Sequence, residues 1–380
     1  MRVGISTSVI QRGKTGIAQY VFALTKALKN YAAQHQFTLF VLEEDLPLFS
    51  FAAPELKIVL VSEKFRSPLK NILWHQIHLP RLARLHHLDV LHVPSYRRLL
   101  GRKPCALVAT IHDLAPFHIA SKYDWKRMLY GRVVVKKLAR RQDEIIAISQ
   151  NTADDIKRFF KIEDKKISVV YNGLDHERFF PGSKNVAQKQ ISQQHGIAAP
   201  FFLYLARIEH PAKNHVRLIE AFNQFKAETK SDWHLVFGGS DWHGAEMVHQ
   251  TIRSSPFSSE IHSLGFVPEK DLPTLYRAAE VFVYPSLYEG FGLPPIEAMA
   301  CGTPVISSNC GSLGEVVGEA AVIADPLNIH EMSRHLTNLS TDSSLRQKCS
   351  KAGLDRAKFF NWEKTAQETL LVYERAFQRR

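Results

Sequence analysis

Two glutamates eight residues apart, Glu289 and Glu297, bracket the run Glu289-Gly290-Phe291-Gly292-Leu293-Pro294-Pro295-Ile296-Glu297. It follows the apolar segment Val281–Tyr284 and leads into Ala298-Met299-Ala300-Cys301-Gly302. A buried strand should end here, a glycine loop should follow, and the two prolines should open a helix, where a missing N–H costs least. Gly302 is suited to stop that helix. Gly290 and Gly292 let backbone approach a ligand closely, and amides of the loop and first turn, those of Phe291 and Leu293 among them, can hold an anion. Ionised carboxylates only accept hydrogen bonds, so Glu289 in the loop and Glu297 about one turn into the helix suit the hydroxyls of a sugar and a ribose. In isolation such a pair is more often two solvated glutamates beside a helix start. The setting is what makes this one specific.

Other chemistry-bearing residues also fall at the ends of apolar runs. Arg207 ends Phe201–Ala206, and Lys213-Asn214 opens the helical pattern that follows. Gly238-Gly239 ends His234–Phe237, and Gly265-Phe266-Val267 follows Ile261–Leu264. In the first half, Thr15-Gly16 opens a helical pattern and His112-Asp113 ends Ala106–Ile111. Taken singly, a strand-end histidine is usually structural and a lone cation usually belongs to the surface. No GxGxxG follows the first strand, which counts against a dinucleotide site. Asp154-Asp155 lie in a helical pattern, and no DxD carboxylate pair ends a strand.

The elements that must position these residues alternate along the chain. The first-half strand candidates are Val3–Ser6, Thr38–Leu42, Ile58–Val61, Val90–Val93, Ala106–Ile111, Ile145–Ile148 and Ser168–Tyr171. Between several of them lie helical patterns at Ile17–Leu28, Leu69–Leu85, Trp125–Arg140 and Asn151–Phe160. After a loose, polar stretch over 172–200, read as a linker, a second series begins. Its strands are Phe201–Ala206, His234–Phe237, Ile261–Leu264, Val281–Tyr284, Pro304–Ser307 and Ala321–Ile323, and a helix near Trp362–Arg379 closes it. Such alternation implies an α/β fold of parallel sheets covered on both faces. The expected organisation is two doubly wound, Rossmann-like domains over 1–180 and 181–360 with a cleft between them, and a C-terminal helix, 361–380, packing back on the first. In such sheets ligands sit beyond the carboxyl ends of the strands.

Bulk composition agrees with two globular domains. The chain has 380 residues, 45% hydrophobic and 23% charged. It shows no signal-peptide pattern, no run near the ~20 apolar residues of a membrane span, and four scattered cysteines without ligand spacing. These features predict a cytoplasmic location in a reducing compartment. The net charge of +12 is uneven: about 29 Lys and Arg against 16 Asp and Glu in residues 1–180, and about 20 against 21 afterwards. One basic half beside a neutral one suggests that the first faces something anionic. The segment Lys122–Arg141, with Lys126, Arg127, Arg132, Lys136 and Lys137 among Trp125, Met128 and Leu129, would suit an anionic lipid surface; Arg97, Arg98, Arg102 and Lys103 form a second basic cluster. A solvated helix face explains the segment nearly as well. A nucleic-acid-binding protein would explain the basic half but not the strand-end residues of the other.

The segment from Glu289 to Ile306 resembles the E-x7-E signature, E-G-F-G-L-x-x-x-E-A-M-A-x-G-x-P-V-I, of the retaining GT-B glycosyltransferases of the GT4 family (glycosyl transferases group 1). The resemblance spans nearly the whole chain and is strongest over 280–326. It implies that Glu289 contacts a donor sugar and Glu297 a nucleotide ribose. Arg207 and Lys213 match the family's R-x(5–7)-K-N element, which holds the donor diphosphate; His210-Pro211-Ala212 between them departs from the commoner K-G pattern. Thr15-Gly16-Ile17 resembles a G-G-I turn with one glycine replaced, and Gly16 would bring amides toward the diphosphate. His112 matches the family's H-D element and would contact the donor sugar or orient the acceptor. Gly239 would lie at the cleft floor, and Val267 lies in the segment whose backbone meets the base.

The resemblance therefore implies a retaining hexosyltransferase that needs no cofactor and no metal, with a nucleotide-diphosphate sugar as co-substrate. The first expectation is mannose from GDP-mannose and the second a UDP-sugar. The acceptor would be a glycan or a polyprenyl-diphosphate-linked glycan in bacterial surface polysaccharide assembly. An anionic membrane surface is the further partner expected and nucleic acid is not, with the enzyme peripheral on the inner face of the plasma membrane.

Overall fold

A computed structural model describes residues 1–13, 15–118 and 130–380. The chain divides into two compact units, one formed by Met1–Gly173 with Asn361–Arg380 and one by Leu174–Phe360.

The first unit is built on seven parallel strands: β1 (Arg2–Ser6), β2 (Gln36–Leu42), β3 (Lys57–Val61), β4 (Val90–Val93), β5 (Ala106–Ile111), β6 (Glu144–Ala147) and β7 (Ile167–Val169). Their order is β3-β2-β1-β4-β5-β6-β7, so the winding reverses between β1 and β4. β4, β5 and β6 are buried along their whole length, as strands covered on both faces must be, which is why they read as largely apolar runs broken only by His92, Thr110 and Glu144. The helix Gly16–Leu28 is capped by Thr15, whose hydroxyl accepts from Ala18 N at 3.2 Å.

The closing helix, Trp362–Gln378, belongs to this unit and packs on β4, β5, β6 and the helix Gly16–Leu28. A buried polar chain fixes it there. His92 Nδ1 meets the Tyr373 hydroxyl at 2.8 Å, His92 Nε2 meets Thr110 Oγ1 at 2.8 Å, and Thr110 Oγ1 meets the Tyr20 hydroxyl at 3.0 Å.

Six parallel strands form the second unit: β8 (Phe201–Leu205), β9 (His234–Gly238), β10 (Ile261–Ser263), β11 (Val281–Tyr284), β12 (Val305–Ser307) and β13 (Val322–Ile323). The order is β10-β9-β8-β11-β12-β13, reversing between β8 and β11. Both units are thus doubly wound, Rossmann-like sheets.

One sequence expectation needs amendment. The stretch read as a linker over 172–200 contains the helix Lys184–His195, capped by Ser183 and ended by Gly196. It buries only Ala187 and Ile191, too narrow a stripe to show as a period. The expected basic helix Trp125–Arg140 falls partly outside the described residues, with Lys122, Trp125, Lys126, Arg127, Met128 and Leu129; from Tyr130 to Ala139 the chain is helical. Part of the second basic cluster is occupied internally: Arg98 donates to Asn71 Oδ1 at 2.6 Å and Lys103 to Asp143 Oδ1 at 2.6 Å. Among the described residues no helix is long and apolar enough to cross a membrane.

Candidate active site

In the second unit Arg207, Lys213 and the run Glu289–Glu297 follow neighbouring β8 and β11, where the winding reverses, while Gly239 and Val267 follow β9 and β10 on one side. The reversal is the position at which doubly wound sheets bind ligands.

Glu289 sits in the loop after β11, largely buried. Its Oε1 accepts from the Lys213 ammonium and, at 3.0 Å, from the Tyr284 hydroxyl. Burial pushes the Glu289 carboxyl up, but the Lys213 charge and hydrogen bonds from Lys213, Ser286 and Tyr284 outweigh it and hold the pKa below the ordinary value. The loop is pinned as well. Ser312 N and Oγ both donate to Glu289 O at 3.0 Å, and Ser312 Oγ approaches Phe291 O at 2.8 Å. Lys213 is fixed from its own backbone, whose carbonyl accepts from the Tyr204 hydroxyl at 2.6 Å.

Gly290 and Phe291 are buried, and Gly292 takes φ +108° at the start of the helix Leu293–Ala300. A side chain at Gly292 would also meet Leu313 at 2.6 Å, so only glycine fits. Pro294 and Pro295 carry no N–H, so the amide donors at this helix start come from Gly292 and Leu293. Glu297 lies one turn on, and its Oε2 accepts from the Tyr276 hydroxyl at 2.7 Å. Burial pushes its pKa up to about 7, against the lowering effect of Tyr276 and Arg178.

Arg207 has partners of its own. Its guanidinium, half exposed, pairs with Glu209 at 3.1 Å and lies over the Trp242 ring at 5.0 Å. Gly239 packs against the same strand end. At φ +154° a Cβ there would fall 1.9 Å from Ala206 O. Gly239 N donates to Gly265 O at 2.7 Å, which ties it to the segment carrying half-buried Val267.

The first unit holds the other two candidates. Gly16 is exposed at the first position of its helix, with nothing within 4 Å of where a Cβ would stand. Thr15 fills the helix-capping role, which accounts for a threonine where the motif has glycine. His112 follows β5 directly; its Nε2 lies 3.2 Å from Pro94 O, and its ring meets Tyr20 edge-on at 4.8 Å. A carbonyl only accepts, so the Nε2 carries the proton and Nδ1 is the acceptor. Burial holds the His112 pKa down to about 4, so the ring is neutral at physiological pH. Asp113 accepts from Ala115 N at 3.0 Å and caps a short helical turn.

Tyr204, Tyr276, Tyr284, Ser312 and Glu209 orient the candidate groups and were not singled out in the sequence. Tyr284 ends the apolar run before Glu289, where a polar-tipped residue was the available signal. Among the described residues no group of three or more His, Cys, Asp and Glu side chains could hold a metal ion.

Two doubly wound sheets, with a carboxylate–lysine pair and a glycine loop at the strand ends of one, match the GT-B architecture. The chain is a GT-B-fold glycosyltransferase related to the Glycosyl transferases group 1 and Glycosyltransferase Family 4 enzymes. The model of Glycosyltransferase Family 4 matches residues 14–178, and the model of Glycosyl transferases group 1 matches residues 187–356. It is 29% identical over 392 residues to O-antigen chain mannosyltransferase B of Escherichia coli, covering 98% of this chain and 100% of that protein. Its fold is similar to that of sucrose-phosphate synthase from Thermosynechococcus elongatus, with a TM-score of 0.79, 20% identity and all of both chains covered. Anabaena Alr3699/HepE, solved in complex with UDP-glucose, is also similar: TM-score 0.75, 20% identity, 98% of this chain and 99% of that one.

Proposed function

We propose that this glycosyltransferase moves a hexose from a nucleotide-diphosphate sugar to a glycan or polyprenyl-diphosphate-linked glycan of a bacterial surface polysaccharide, with retention and without a metal. The Lys213–Glu289 pair at the end of β8 and β11 carries the reading. An ammonium has three donors and spends one on Glu289, so others remain for a phosphate oxygen. Glu289 then accepts from a donor-sugar hydroxyl and Glu297 from the ribose. Arg207 and Lys213 stabilise the charge that builds on the leaving diphosphate, with amides near Gly16, Gly239 and Gly292 assisting and His112 serving the sugar or the acceptor. The departing diphosphate takes the acceptor's proton as the new glycosidic bond forms on the same face. Mannose from GDP-mannose is favoured by the mannosyltransferase among the relatives; a UDP-sugar is the alternative, as in the HepE complex.

The test is thermal unfolding with GDP-mannose, UDP-glucose, UDP-GlcNAc, UDP-galactose and ADP-glucose, in EDTA, on wild type and Glu297→Ala. A donor at 100 times its dissociation constant adds ~2.7 kcal/mol. A shift with one base that weakens in the variant supports the reading; no shift with any donor overturns it.

The same reading places the first unit on an anionic membrane surface. The helix Pro68–Leu85 contains no Asp or Glu, yet its outward row carries Leu69, Leu73, Ile77 and Leu85 with Lys70, Arg81 and Arg84. Leu69 and Leu85 are 81% and 71% exposed. Apolar residues edged by cations suit a lipid interface, each cation contributing ~1 kcal/mol. Equal partitioning onto neutral and anionic liposomes would remove this part.

A further inference from the structure

The loops leaving β8 and β9 go on pairing beyond the strand ends. Ile208 N donates to Ser240 O at 3.0 Å, Trp242 N to Ile208 O at 2.9 Å, and His210 N to His243 O at 3.0 Å. Ile208 and Asp241 form an isolated parallel bridge. This pairing fixes the backbone on both sides of Arg207 and sets Trp242 beside it. The Trp242 ring is 58% exposed, and a large aromatic left in solvent at a strand end calls for a reason. Its neighbour is the Arg207 guanidinium, 5.0 Å from the ring centre. On another side that cation meets Glu209, which is 5% exposed, at 3.1 Å. A free arginine side chain carries substantial rotamer entropy. Stacking on indole and pairing with a fixed carboxylate remove much of that freedom in advance, while a guanidinium has five N–H donors and Glu209 does not use them all.

We propose that Trp242 is a positioning residue for Arg207. The indole and Glu209 hold the guanidinium at the end of β8 so that its remaining N–H groups meet the diphosphate of the donor. The inference rests on Arg207 being a diphosphate ligand, as proposed above. It predicts that Trp242 governs recognition of the second phosphate and leaves the nucleoside and first phosphate alone.

GDP, GMP, UDP and UMP are the probes, titrated calorimetrically against wild type, Trp242→Ala and Trp242→Phe, with a thermal unfolding curve for each protein. Wild type is expected to bind a diphosphate more tightly than its monophosphate. Trp242→Ala should weaken the diphosphate about tenfold and the monophosphate by less than about twofold, on the scale of a partly desolvated cation–π contact. Trp242→Phe retains an aromatic face and should recover most of the loss, with the unfolding midpoint of both variants near that of wild type. An unchanged diphosphate affinity in Trp242→Ala overturns the positioning role, as does an equal loss for mono- and diphosphate or a loss that phenylalanine does not recover. In each of those cases the nucleotide site itself stands. Wild type that binds none of the four probes overturns the reading of the site and this inference with it.

Discussion

The Lys213 ammonium reaches the Glu289 carboxylate across 76 positions of sequence because β8 and β11 are paired neighbours whose loops leave from the same end. The side chains are 13% and 17% exposed, so each charge depends on the other for much of what water would have given it. Removing one partner leaves a poorly solvated charge. Lys213→Met or Glu289→Gln alone should therefore lose about 2–4 kcal/mol in urea unfolding. The double variant should recover most of that stability while remaining inactive. Additive losses in the double variant would show that the two charges are independent.

Glu297 gives a stability signal with a definite sign. Its folded pKa of about 7 lies above the ordinary carboxyl value, through burial. Between about pH 4.5 and 7 the native state therefore holds a proton that the unfolded chain has released. Stability should fall as pH rises through that window, by up to about 3 kcal/mol, since one pKa unit is worth about 1.4 kcal/mol. Urea midpoints of wild type and Glu297→Gln at pH 5, 6, 7 and 8 measure the difference. The variant should gain on wild type toward high pH, and parallel profiles would remove the claim.

Glycine substitution separates packing from ligand approach. An alanine Cβ at Gly239 would overlap Ala206 O, with φ in a region that side chains rarely adopt. Gly239→Ala should cost more than about 2 kcal/mol or prevent folding of the second unit. Gly16 faces open space at a helix start, so Gly16→Ala should leave stability within about 1 kcal/mol. If Gly16 serves ligand approach, activity should nevertheless fall sharply. Full activity in Gly16→Ala would take the residue out of the proposed site.

The fold was legible because most of the strands lie on short apolar runs, and those buried on both faces, such as Phe201–Leu205 and Val281–Tyr284, show them most plainly. The polar helix Lys184–His195 escaped because two buried residues in twelve leave no period to read. The groups that fix the site escaped for another reason. Tyr276 lies 21 positions from Glu297 and Tyr204 lies nine from Lys213, and no local pattern shows which strand-end side chain faces which loop. Motif spacing names the groups that could meet a ligand; the sheet order determines what meets them in turn.

His112 supplies a test of mechanism rather than of stability. Its Nε2 proton is committed to Pro94 O, and burial keeps the pKa near 4 despite the opposing charge of Asp113. The ring therefore stays neutral across the working range, and it can position or polarise a hydroxyl through Nδ1 without changing charge. Once a donor is found, kcat/KM for wild type should show no limb from this histidine between about pH 5.5 and 8. His112→Ala should lower kcat by about 10²-fold or more while nucleotide affinity in equilibrium titrations moves little. Because the folded pKa is depressed, the unfolded chain binds the extra proton between about pH 6.5 and 4, and His112 costs stability as pH falls through that window. His112→Ala should thus lose less stability than wild type on acidification. An apparent pKa near 6.5 in the wild-type profile that vanishes in His112→Ala would mean the imidazole titrates during turnover, and the neutral role would give way to proton transfer.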